Sequence, residues 1–161
     1  MKKISTRLRE IVLTGAISLL AIATFASDSF AQSTDPDSPS PITNNIIEAT
    51  NAGGINDEKT YYYRFNVTKG TLIFTADLTP KNKSDAGGFL AWTMLDAKFQ
   101  KLTADIFSAH ASPERQVKEL PITIKRQIIL KIVVSGNTDY KIRLSGSAVS
   151  EFKGLKNGER Q

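Results

Sequence analysis

The chain predicts an all-β fold, an antiparallel sandwich or barrel, and three observations carry that expectation. Four runs alternate apolar and polar residues with a period of two, the repeat of a strand that buries one face. Clusters of Gly, Asn, Asp and Pro separate the runs. No helical segment recurs between them, which argues against the crossovers of a parallel sheet.

Residues 1–31 read as a secretory signal peptide. Lys2, Lys3, Arg7 and Arg9 form a basic head, Ile11 to Phe25 an apolar run, and Ser29-Phe30-Ala31 a site of cleavage before Gln32. Signal peptidase takes small side chains just ahead of the cut. The run of about 15 residues falls short of the ~20 that cross a bilayer as a helix, so cleavage is expected rather than anchorage. The product is then periplasmic or secreted, with no stable membrane span. No cysteine follows the apolar run, which argues against a lipid anchor.

Residues 32–44 contain three prolines and one large apolar residue, Ile42. They bury too little to offset ordering entropy and read as a flexible Ser/Pro-rich linker. The folded unit is placed at 45–147. Within it Tyr61, Tyr63, Phe65 and Val67 share one phase, as do Leu72, Phe74, Ala76 and Leu78. The same holds for Ile128, Leu130, Ile132 and Val134, and for Tyr140, Ile142 and Leu144. Each set is expected to face the core.

Residues 95–106 admit two readings. Leu95, Phe99, Leu102 and Ile106 fall on one face of a helix, and the intervening residues are good helix formers. A hairpin competes, with Leu90-Trp92-Met94 on one arm, a turn at 96–100 and Leu102-Ala104-Ile106 on the other. The β-branched and aromatic residues of both arms favour the hairpin. Residues 148–161, with Lys153, Lys156 and Arg160, read as a flexible basic tail.

Composition narrows the function. Cysteine is absent, so packing rather than disulfides must hold the fold in an oxidising compartment. The leader's four basic and two acidic residues belong to the formal charge of +5 and leave +3 on residues 32–161. That excess is dispersed, without the basic stripe of a nucleic-acid binder. His110, the single histidine, sits in the small, turn-like stretch Ser108 to Pro113 and reads as an exposed strand end. No Gly-x-Ser-x-Gly elbow or phosphate-cradling loop occurs, and nothing selects a pair among Asp77, Asp85, Asp96 and Asp105 for glycoside cleavage. No enzyme and no catalytic residue are therefore expected.

The residues from Asn45 to Ser147 resemble the bacterial pre-peptidase C-terminal domain family. The resemblance lies in an ordered series: an Asn-rich opening with Glu48, then Gly53-Gly54, Asn56-Asp57-Glu58, and Tyr61-Tyr62-Tyr63-Arg64-Phe65. Lys69-Gly70-Thr71-Leu72 and Phe89 to Asp96 follow, and the apolar strand 128–134 leads to Gly136-Asn137-Thr138-Asp139-Tyr140 through Leu144. It implies a jelly-roll-like β-sandwich, a single domain of the kind appended to secreted enzymes. Some relatives bind calcium in the segment that here holds Glu48, Asn51, Asp57 and Glu58. Thr60-Tyr61 and Ala91 stand where the family carries acids, and Lys125-Arg126-Gln127 where it carries glycine. The acids present lack calcium-loop spacing, so no metal is assigned, and calcium is the one cofactor the resemblance leaves open.

The expected activity is that of an exported, non-catalytic accessory or binding module for an envelope or extracellular polymer: a polysaccharide, peptidoglycan or a protein surface. Tyr62 and Arg64 are the candidate contacts. They share the phase opposite to the core, and a tyrosine beside a guanidinium stacks on sugar rings or peptide chains. The alternative is a structural protein of the envelope that assembles through sheet edges.

Overall fold

The computed structural model describes residues 32–81 and 87–149. The expected leader, Asp85 and residues 150–161 of the expected tail lie outside that range. Among the described residues nine strands form two sheets: β1 (Ser40–Pro41), β2 (Ile46–Ala52), β3 (Lys59–Val67), β4 (Gly70–Pro80), β5 (Gly88–Leu95), β6 (Lys101–Ala109), β7 (Glu114–Ile122), β8 (Arg126–Val134) and β9 (Asn137–Ser145). One sheet has the order β1-β3-β8-β5-β6, the other β2-β9-β4-β7. Strands β2 to β9 pass between the sheets at every connection except the β5–β6 hairpin, the double Greek-key order of a jelly roll. The protein is an all-β sandwich, as the alternation implied.

The four alternating sets all face inward. Leu72, Phe74 and Leu78 from β4 meet Leu90, Trp92 and Met94 from β5, with Ile128, Leu130 and Ile132 beside them. Trp92 is 1% exposed and its ring centroid lies 4.4 Å from that of Phe74. Each such side chain contributes about 1.5–3 kcal/mol through removal from water, which is how a domain without disulfides holds together.

The hairpin reading of 95–106 is the correct one. Asp96 closes the turn, its carboxylate accepting the main-chain N–H of Lys98 and Gln100 at 2.8 and 2.9 Å. Phe99 takes φ 60° in that turn, and a register shift follows at Met94/Leu95. Leu90 thereby lies opposite Phe107, Trp92 opposite Asp105 and Met94 opposite Thr103. Leu102, Ala104 and Ile106 are consequently on the outer face of β6, and Ile106 is 59% exposed.

Two boundaries differ from expectation. Residues 32–42 lie against the sandwich instead of extending from it: β1 pairs in parallel with β3, and Ser33 bridges Tyr62. Main-chain pairing, which side-chain composition does not report, seats this segment. At the other end Ala148 and Val149 are buried. Ala148 donates its N–H to Thr71 O and accepts that of Thr68, which ties the chain to the β3–β4 connection.

Candidate functional site

The two outer faces of the sandwich differ in chemistry. On the four-stranded sheet, register places Glu48 opposite Lys141, Lys141 opposite Asp77 and Asp77 opposite Arg115. Charge thus alternates across all four strands. Glu48 Oε1 lies 2.5 Å from Lys141 Nζ, Asp77 bridges Arg115 and Arg143, and Asp139 pairs with Lys81 and accepts the Thr50 hydroxyl. A depression open to solvent runs over this ladder. Its charges are matched among themselves, and the Asp77 carboxylate raises the pKa of Arg115 first by its hydrogen bond and then by its field.

On the five-stranded sheet, Tyr62 lies opposite Lys131, and Lys131 opposite Thr93. Arg64 lies opposite Ile129, and Thr60, Val133, Ala91 and Ile106 form the next row. The outward positions of β3, β8, β5 and β6 between Thr60 and Ser108 carry the cations Arg64 and Lys131, with Lys101 at the far edge opposite Leu95, and no acid. Tyr62 is half-buried and Arg64 exposed, so a ring and two cations stand together among neutral side chains. The N-terminal segment fixes this constellation. Ser33 O accepts the Tyr62 N–H at 2.8 Å, and Ile42 donates its N–H to Arg64 O at 2.9 Å. The free edge of β3 is thereby closed at the two candidate residues.

Gln32 reaches further in, donating from Nε2 to the Tyr140 hydroxyl at 2.6 Å. Burial pushes the Tyr140 and Tyr63 phenols above their ordinary range; for Tyr63 the Tyr140 and Gln32 side chains partly oppose it.

Glu48, Asn51, Asp57 and Glu58, to which no metal is assigned, do not converge on one point. Glu48 and Asn51 lie on opposite faces of β2, Asn51 turned inward to donate from Nδ2 to Gly136 O at 2.7 Å. Asp57 and Glu58 are exposed in the turn that follows. Among the described residues no three His, Cys, Asp or Glu side chains group as metal ligands. Asp77, Asp96 and Asp105 each serve an ion pair or a turn, and His110 is exposed at the end of β6.

The structure brings Tyr62 and Arg64 onto one face, as their phase required. It adds Lys131, which the sequence alone did not single out. Lys131 occupies the outward phase of an alternating run, a signal that gains meaning only once β8 is known to pair with β3. No protein-family model matches the chain, and no curated protein matches it.

Proposed function

We propose that the protein is an exported, non-catalytic binding module that takes an anionic polymer across the outer face of its five-stranded sheet. The observation that carries this reading is the adjacency of Tyr62, Arg64 and Lys131 on a face without acids. A tyrosine ring offers a stacking surface to a sugar or peptide, and two cations without an ion pair among the described residues offer charge-assisted hydrogen bonds to carboxylate groups. The opposite face has its charges neutralised internally and lacks that capacity. The reading agrees with the accessory role implied by the resemblance to pre-peptidase C-terminal domains and with the leader that precedes residue 32. Peptidoglycan and acidic polysaccharides are the polymers with the matching chemistry.

Co-sedimentation of the purified protein with peptidoglycan, an acidic polysaccharide and neutral cellulose tests it. The expected result is retention on an anionic polymer, weakened by salt and lost in Tyr62→Ala and in the Arg64→Ala, Lys131→Ala pair. Equal retention on cellulose, or no retention on any of them, overturns the proposal.

A further inference from the structure

We infer that the edge of β6, unpaired among the described residues, is a self-association surface, where a second copy of this chain adds its own β6 antiparallel about a two-fold axis at Ala104. This inference stands apart from the polymer reading and rests on the direction of main-chain groups. Ser135 donates its N–H to Phe89 O, so the odd-numbered residues of β5 address β8 and the even-numbered ones address β6. Trp92 and Asp105 therefore form a hydrogen-bonded pair, and the even-numbered residues of β6 turn their N–H and C=O groups outward. Asp105 bears this out: its Oδ1 accepts the N–H of Ile106 at 2.9 Å, on the side away from β5.

The outward groups thus belong to Leu102, Ala104 and Ile106, whose side chains also form the apolar stripe of the outer face. Read in either direction from Ala104 the stripe is the same in kind. A two-fold at Ala104 sets Leu102 against Ile106 of the second copy twice, with Ala104 against its own equivalent. Leu102 and Ile106, 40% and 59% exposed in the single chain, each gain the other as a cross-strand neighbour in the pair. Charge agrees as well. Each Asp105 brings its own countercharge, Lys118 Nζ at 3.8 Å from Oδ2, so no unpaired acid enters the seam.

Two of the other edges are blunted, and the rival is β2, which Ile46→Lys probes. β1 and Ser33 close β3, whereas β7 carries Arg115, Lys118, Glu119 and Pro121 along its length. Asp105 is the latch on β6, since its carboxylate must leave Ile106 before the second strand can take that N–H.

Sedimentation of the purified protein over a concentration series reads the association. The expected result is a monomer–dimer equilibrium, weakened by about tenfold in Ile106→Lys, which removes two apolar cross-strand pairs with Leu102, and strengthened in Asp105→Ala. The sequence contains no cysteine, so Ala104→Cys supplies a unique thiol. Oxidation links it into a covalent dimer if the two Ala104 positions face each other at the Cα spacing of a hydrogen-bonded pair. A monomer at every concentration overturns the inference. So does a dimer that persists in Ile106→Lys and is broken by Ile46→Lys on β2.

Discussion

The Trp92 indole donates from Nε1 to Gln116 Oε1 at 2.7 Å, and this bond crosses from the five-stranded sheet to the four-stranded one. Among the described residues Trp92 is the largest fully buried side chain, and Gln116 stands half-buried on edge strand β7. Gln116→Leu leaves the indole N–H buried and unpaired, which costs about 1–3 kcal/mol. Chemical denaturation followed by fluorescence measures it directly, because Trp92 is the only tryptophan.

The phenols of Tyr63 and Tyr140 are held above the ordinary value of 10.0, by burial in the first place. The unfolded chain releases those protons at lower pH than the folded chain. Their contribution to stability is therefore intact below a pH of about 10 and is lost as pH rises beyond it. In an alkaline titration, tyrosinate absorbance from two of the four tyrosines should appear only together with loss of the Trp92 core signal.

Asp77 is the acid on which Arg115 and Arg143 converge, with Lys141 opposite. Asp77→Ala removes the acid shared by Arg115 and Arg143 on the four-stranded sheet, while Lys141 keeps Glu48. The melting temperature should fall at low salt, and the difference from the parent should fade near 1 M salt, where the Debye length is about 3 Å.

Gly136 has φ +78°, and a Cβ there would lie 2.3 Å from Gly87 O. Gly136→Ala meets both a left-handed backbone and a main-chain collision, so it destabilises where a compatible Gly→Ala exchange stabilises by about 0.4–1 kcal/mol. Gly54, whose Cβ would meet open space, is the control and should leave the urea midpoint nearly unchanged.

The strands read from sequence are those whose inward residues are large. β3, β4, β8 and β9 each place three or more apolar side chains in the core at alternate positions. β2 and β7 escaped notice because their inward positions do other work. On β2, Ala49 and Asn51 face in, and Asn51 holds the β8–β9 turn. On β7, Gln116 serves Trp92 and Lys118 serves Asp105, so polar residues stand where a pattern search expects aliphatic ones. The face bearing Tyr62 and Arg64 was legible from phase within one strand. Lys131 was not, because register between distant strands is set by packing and turn geometry rather than by local pattern. Residues 32–42 misled for a related reason: a proline-rich segment binds here through a few main-chain groups at the edge of β3.

Strand order also determines when the molecule can exist. β9 lies between β2 and β4, and β8 lies between β3 and β5. Until those last two strands are synthesised, β2 and β3 have no neighbour among β4 to β7, which join only as the separate pairs β4·β7 and β5·β6. Glu48 must wait for Lys141, 93 residues later. Such non-local closure is slow, on the order of milliseconds to seconds. A nascent chain therefore leaves the ribosome with its sheets open and its apolar strands bare, and it closes in one late step once β8 and β9 slot into the centre of each layer.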